Sequence, residues 1–241
     1  MTPFYLLIGI ILFIILLYCT LYLVNRKSLY KSWNKAISIY CDEQNENDHV
    51  SKYIPSLQSA WICQNESVRQ THINIVLLHE EINNKINEYF RVMEECVEDT
   101  SGFTSRGGTR YLPFISNGNI NSLANNFNLA KLKTDAFNLG LLVIEPGATG
   151  SWQEHTSRGV YRYHYGLKTP KKGEYGLYIK DNPIHRIKWK ERQGFIWDPS
   201  LTHSVFNQTD EICFILVADI PRHLPVLYSM VNTIIHTYFP P

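Results

Sequence analysis

A chain of 241 residues has room for one sizeable domain plus an appendage, and its net charge of +1 with 19% charged residues provides no global basic field for nucleic acid. Fifteen Tyr, eleven Phe and five Trp favour half-buried pleated surfaces and hence a β-rich fold. The cysteines (Cys19, Cys41, Cys63, Cys96 and Cys213) have no CxxC or zinc-type spacing and are too few for a disulfide framework, so they read as unpaired thiols in a reducing compartment.

Phe4 to Val24 is a run of 21 residues without a charge, rich in Ile, Leu and Phe. At about 1.5 Å per residue it covers the ~30 Å hydrocarbon core of a bilayer. Met1-Thr2-Pro3 carries no basic side chain and no small-residue cleavage site follows the run, so a retained single-pass anchor fits better than a signal peptide. Arg26, Lys27, Lys31 and Lys35 follow the span and no Lys or Arg precedes it, which by the positive-inside rule puts the C-terminal bulk in the cytosol. The sequons at Asn65 and Asn207 would matter only for a luminal placement. Residues 25–60 read as a juxtamembrane helix and a solvated linker. Its acidic run Asp42–Asp48 lacks the glycine and closing glutamate of an EF-hand loop.

Residues 61–137 read as a supporting region of helix and loop. Ile75, Leu78, Ile82, Ile86, Tyr89, Phe90 and Met93 recur at steps of three and four, predicting a helix over Ile73–Val97 that lays an apolar stripe on a sheet. His72 and His79 on it are surface or cap histidines rather than ligands. Glu98 to Thr134, rich in Gly, Ser and Asn, reads as a long irregular loop forming a rim or lid. Thr104-Ser-Arg-Gly-Gly-Thr-Arg110 has an anion-binding flavour but lacks the strand-to-helix turn of a phosphate loop.

Residues 138–225 carry short strands separated by turn chemistry: 139–145, 160–167, 174–179, 184–189, 194–197, 203–206 and 212–219. Seven such strands without intervening helices predict an antiparallel sandwich or jelly roll. Residues 226–241 close the chain with an amphipathic helix, too short to span a bilayer, that packs on the sheet or lies on the membrane surface.

The chemistry is concentrated in this β-region. His155 precedes one strand and His203 starts a late one, 48 residues on, and in a jelly roll such positions can share one open mouth. Neutral imidazole is the commonest protein ligand for first-row metals. Arg162 and His164 alternate with Tyr161, Tyr163 and Tyr165, so the basic pair shares one face and the tyrosines the other. A buried arginine needs an anion. Two partners are open: an internal carboxylate from Asp198, Asp219 or Glu145, or the carboxylate of a ligand, to which the guanidinium fork is suited.

Glu145-Pro-Gly147, His155-Thr156, Arg162-x-His164-x-Gly166-Leu167, Gly194-Phe-Ile-Trp-Asp198, His203-x-Val205-x-Asn207 and the Phe214–Asp219 run together resemble the aspartyl/asparaginyl β-hydroxylase family over roughly Leu139 to Pro225. The resemblance implies a mainly β, double-stranded β-helix (jelly-roll, cupin-like) fold and an Fe(II)/2-oxoglutarate-dependent dioxygenase. It assigns His155 and His203 to iron and Arg162 and His164 to the near carboxylate of 2-oxoglutarate. The residue two after the first histidine, acidic in many other iron oxygenases, is Ser157, as this family's pattern has it. Two positions depart from that pattern. The arginine expected ten residues after the second iron histidine, where the far carboxylate is met, is Cys213. The serine that assists it is Leu142. The loop between Pro146 and Arg162 is also rebuilt. Arg158, Arg222, Arg106 and Arg110 are the candidate substitutes for the missing arginine.

The expectation is therefore a membrane-anchored dioxygenase with supporting helices and an N-terminal transmembrane helix. Its substrate would be a protein Asp or Asn side chain or a lipid acyl chain. The alternative is a catalytically inactive jelly-roll binding module.

Overall fold

The computed structural model describes residues 26–43, 77–98, 104–106, 108–121, 136–153, 158–180, 184–222 and 224–238. Its helices are α1 (Arg26–Glu43), α2 (77–84), α3 (Ile86–Glu98) and α4 (Val226–Tyr238). Its strands are β1 (Thr104–Arg106), β2 (Thr109–Ser116), β3 (Asn119–Ile120), β4 (Asn138–Ile144), β5 (Val160–Lys168), β6 (Tyr175–Ile179), β7 (His185–Ile187), β8 (Gly194–Trp197), β9 (His203–Asn207) and β10 (Cys213–Pro221).

All strand pairs are antiparallel. The larger sheet runs β1-β2-β4-β10-β5-β8 with β3 on β2, and the smaller runs β7-β6-β9. After β5 the chain crosses to the smaller sheet for β6 and β7, returns for β8, crosses again for β9 and returns for β10. The expected mainly β, antiparallel, two-sheeted architecture is what forms.

Strict alternation sorts the strands' side chains into two cores. On β4, Leu139, Leu141 and Val143 face outward, and on β5 so do Tyr163, Tyr165 and Leu167; these pack under Leu78, Ile82, Tyr89, Val92 and Met93 of α2 and α3. The helical stripe read from the sequence thus lies on the outside of the larger sheet, each fully buried side chain contributing about 1.5–3 kcal/mol relative to exposure. The alternate residues of the same strands point between the sheets. There Ile144, Phe195, Trp197, Cys213, Ile215 and Val217 meet Tyr175, Leu177, Ile179 and Val205 of the smaller sheet. A third cluster joins Leu29, Trp33 and Ile37 of α1 to Leu224 and Ile235 at the C-terminus.

The stretch expected to be an irregular loop contributes β1, β2 and β3, and β2 pairs with β4 from Thr109↔Ile144 to Ile115↔Leu139. Pro113 disguised β2, because a proline cannot donate to a ladder; here it sits at the register shift between Pro113 and Ile115, where the ladder is already interrupted. Asn117 (φ 52°) and Gly118 (φ 76°) close the β2–β3 hairpin, and Asn-Gly is the pair that such a left-handed two-residue turn favours.

The C-terminal helix forms as expected, and Val231, Ile234 and Ile235 pack in the cluster with α1. Asn232, Ile235 and His236 are buried, whereas Val226, Leu227 and Met230 are exposed. Among the described residues no helix is long and apolar enough to cross a membrane, and the apolar segment 4–24 lies outside the described residues. His72, the sequon at Asn65 and residues 44–60 of the expected linker lie outside them too. His79 is half-buried, its Nδ1 2.7 Å from the Tyr163 hydroxyl, and burial lowers its pKa against the opposing effect of Glu80. It packs against Tyr163 and Tyr165, where a surface or cap histidine was expected.

Candidate functional site

The inner faces of β5, β8, β9 and β10 converge at one end of the space between the sheets. Arg162 and His164 of β5 point inward and Tyr163 and Tyr165 outward, as the alternation requires. In register, Arg162 stands beside Asp219 on β10 and Trp197 on β8, and His164 beside Val217 and Phe195. His203 opens β9 on the facing sheet, with the Trp197 ring edge-on at 4.5 Å.

His203 is buried, and its Nδ1 lies 2.8 Å from the carbonyl oxygen of Leu201. A carbonyl only accepts, so Nδ1 carries the proton and, in the neutral ring, Nε2 carries the lone pair. This is the arrangement that orients a metal-binding imidazole. His164 has the opposite tautomer. The Trp189 indole N–H donates to its Nδ1 at 3.1 Å, leaving Nε2–H as a donor. Burial, together with Arg162 and His203 nearby, holds His164 well below the usual histidine range, so it is neutral. The structure therefore separates the two histidines chemically: one offers a lone pair and the other a proton.

His155 lies outside the described residues. The chain leading to it is described as far as Gln153, whose backbone exchanges both ladder hydrogen bonds with His203 at 2.8 Å, two residues before His155. Among the described residues no three His, Cys, Asp or Glu side chains are grouped to hold a metal ion.

The anion that Arg162 needs is internal. Its Nε donates to Asp219 Oδ1 at 2.7 Å and its Nη2 to Asp219 Oδ2 at 2.9 Å, and Asn138 Nδ2 donates to the same Oδ2 at 2.9 Å. Burial opposes the charge on Arg162, but the Asp219 carboxylate and its hydrogen bonds outweigh that and raise the pKa above the ordinary guanidinium value. Tyr111, pushed up chiefly by burial and then by Asp219, lies over Gly140, where a Cβ would meet its ring. Of the two partners left open by the sequence, the internal carboxylate is the one found, and it is Asp219, 57 residues away.

The far end of the same face is apolar. Cys213, fully buried, stands opposite Ile144, and Leu142 stands opposite Ile215. Burial pushes the Cys213 thiol well up, so it is neutral. The arginines weighed as substitutes engage other groups. Arg110 pairs with Glu145 at 2.6 Å. Arg222 donates to Asp198 Oδ2 at 3.1 Å and to the Tyr161 hydroxyl, with its guanidinium over the Tyr161 ring. Arg158 Nε is 3.3 Å from the Ser200 hydroxyl. The Arg106 side chain lies outside the described residues.

One polar atom here was not anticipated. Trp197 is 1% exposed, and its indole N–H has no acceptor among the described residues, although the ring touches both His164 and His203. A buried orphan donor is costly, and such a donor beside candidate ligands marks a place for an acceptor atom. No sequence pattern distinguishes this tryptophan from Trp189, whose N–H is satisfied.

Tested against this geometry, iron fits in part: His203 is buried and tautomerically fixed, and its bridge partner Gln153 precedes His155 by two residues in the sequence. 2-Oxoglutarate fits poorly. His164 and Trp197 offer neutral donors for one carboxylate, Arg162 is already paired with Asp219, and the Cys213 end is apolar apart from the Tyr175 hydroxyl.

Residues 119–223 match the model of the family described as Aspartyl/Asparaginyl beta-hydroxylase. No curated protein matches the chain by sequence. Among solved structures, it is similar to a Cupin_2 domain of an XRE family transcriptional regulator from Enterobacter cloacae, at 14% identity and a TM-score of 0.33, over 48% of this chain and 99% of that one. It is also similar to oxalate decarboxylase from Lactobacillus farciminis, at 12% identity and TM-score 0.34, over 50% of this chain and 31% of that one. A third is the CENP-C cupin domain of Drosophila melanogaster, at 13% identity and TM-score 0.32, over 48% and 73% respectively.

Proposed function

Starting from the match of residues 119–223 to aspartyl/asparaginyl β-hydroxylases, we propose that this chain is a membrane-anchored, iron-dependent oxygenase that hydroxylates a carbon centre. The observation that carries the reading is His203: a buried imidazole with its Nδ1 proton held by a backbone carbonyl, strand-paired to the segment that leads into His155. Iron(II) held by these two imidazoles supplies the activation of dioxygen that side chains alone cannot provide.

The chain's own residues do the rest. The Leu201 carbonyl fixes the His203 ring so that Nε2 is the donor nitrogen. Trp189 fixes the His164 ring so that its Nε2–H faces outward from the indole and can hold a carboxylate oxygen. The Arg162–Asp219 pair ties β5 to β10 and sets the spacing of the inner face. Phe195 and Trp197 line His164 and exclude water, which strengthens every polar contact there.

In this reading the apolar residues 4–24 anchor the chain, with the catalytic domain on the cytosolic side. The substrate is a protein Asp or Asn side chain or a lipid acyl chain. The exposed Val226, Leu227 and Met230, on a helix packed against α1, favour a site working close to a bilayer surface. The sequon at Asn207 does not argue for a luminal domain. That side chain is fully buried and its Nδ2 donates to the carbonyls of Ile144 and Glu211.

One observation favours the other reading, a binding module without turnover: Arg162, the expected clamp, is already paired with Asp219. Full-length protein in detergent, loaded anaerobically with Fe(II) and given 2-oxo acids and oxygen, separates the two. Turnover consumes oxygen and releases carbon dioxide, and both are lost in His155→Ala and His203→Ala. Metal binding without oxygen consumption for any acid and substrate would leave the inactive module.

A further inference from the structure

We propose that this chain docks end-on, with the His203 end of the β-sandwich resting in the headgroup layer of an anionic bilayer. This rests on the membrane reading of residues 4–24 and adds which surface meets the lipid and how the domain is turned.

The strand registers define two ends. At one, Asp219 pairs with Asn138 and Arg162, Arg162 with Trp197, and His203 with Ile179. At the other, Cys213 pairs with Ile144 and Asn207 with Tyr175. The nine residues of β10 separate the two by roughly 25 Å.

Exposed apolar side chains are sorted between these ends. Seven large ones are exposed among the described residues, and six of them stand at the His203 end. Ile120 follows the β2–β3 turn, and its partner Ile115 pairs with Leu139 near the start of β4. Trp152 precedes Gln153, the bridge partner of His203, and Ile184 precedes β7. Val226, Leu227 and Met230 belong to α4, which Asn232 fastens to the Gly159 carbonyl just ahead of β5 and His236 stacks on Phe137 just ahead of β4. The seventh, Leu77, begins α2. The opposite end is charged instead, with Lys171, Lys172, Glu174, Lys190, Arg192 and Asp210 exposed in its loops. An apolar rim confined to one end marks a contact surface.

The occupant follows from α1. This helix begins at Arg26, directly after the uncharged apolar run 4–24, which lies outside the described residues. About 10 Å further along its axis, Trp33 donates to Asn232 and meets the Tyr228 ring, and Asn34 accepts from the Arg158 backbone N–H. The apolar rim is thereby fastened about two helical turns from the point where the apolar run ends. Lys31 and Lys35 are exposed on α1 and Lys180 at the end of β6, which complements anionic headgroups.

The test uses the full-length chain in vesicles of phosphatidylcholine and phosphatidylserine, with Ile184, Leu227 or Lys172 replaced by the photocrosslinking residue p-benzoylphenylalanine. Mass spectrometry reads the adducts after illumination. Lipid adducts are expected at Ile184 and Leu227, at least about ten-fold above those at Lys172, because interfacial side chains enter the lipid boundary by only about 5–10 Å. Ile184 and Leu227 lie on different elements, so if one replacement misfolds the other decides. Background labelling of lipid at both rim positions, in a chain that resists alkaline carbonate extraction, overturns the inference and leaves the anchor standing. So do adducts to a second copy of the chain in place of lipid, or lipid adducts equal at all three positions. Extraction of the chain by carbonate brings down the membrane reading, and this inference with it.

Discussion

The Arg162–Asp219 pair gives the structure a quantitative consequence. Two hydrogen bonds, at 2.7 and 2.9 Å, join side chains that are 19% and 3% exposed, on strands paired directly at these positions. Removing one partner leaves a buried charge uncompensated, so Asp219→Leu and Arg162→Met should each cost about 3–5 kcal/mol. For a domain of this size that is a fall of about 6–20 °C in thermal midpoint. The double variant removes both charges and should be markedly more stable than the sum of the singles implies, by at least about 2 kcal/mol. The assay is a double-mutant cycle by urea and thermal unfolding of the metal-free protein, followed by tryptophan fluorescence. Single variants costing under about 1 kcal/mol, with an additive double, would refute the argument and return Arg162 to the pool of groups available to a ligand.

Three further outcomes follow from named contacts. His164 is held neutral by burial and by Arg162 and His203, so protons bind the unfolded chain more readily than the folded one below the unfolded value of 6.5. Stability of the metal-free protein should be full above that pH and fall as pH drops below it, by about 1.4 kcal/mol per pH unit for this group, and His164→Gln should flatten the slope. Asn232 accepts from Trp33 at 3.0 Å and donates to the Gly159 carbonyl at 2.8 Å, so Asn232→Ala should cost about 2–3 kcal/mol and speed proteolysis of α1, which an unchanged digestion pattern would deny. A Cβ at Gly140 would meet the Tyr111 ring and the Leu112 carbonyl, so Gly140→Ala should destabilise by about 1–3 kcal/mol and perturb ligand binding beside Asp219; a wild-type melting curve would contradict it.

Local pattern made much of the fold legible. Alternation in β5 placed Arg162 and His164 on one face and the tyrosines on the other, and the Pro146-Gly147 turn, with Gly147 at φ 72°, ends β4 where expected. What stayed hidden depends on long-range register. Asp219 was one of three acidic residues that might have met Arg162, and only the β5–β10 ladder selects it. The β2 strand was obscured by Pro113 at its irregularity, although Asn117-Gly118 after it was a hairpin signal in plain view. The orphan N–H of Trp197 is a property of packing, and no residue pattern reports packing. Cys213 and Leu142 were legible as departures, and the structure adds that they share one apolar face.

The central claim is that His155 and His203 share one metal ion. Anaerobic calorimetric titration of the full-length protein with Fe(II) tests it most directly. One ion per chain is expected, with binding lost in His203→Ala and in His155→Ala but retained in His79→Ala. Unchanged stoichiometry and affinity in both of the first two variants would contradict it.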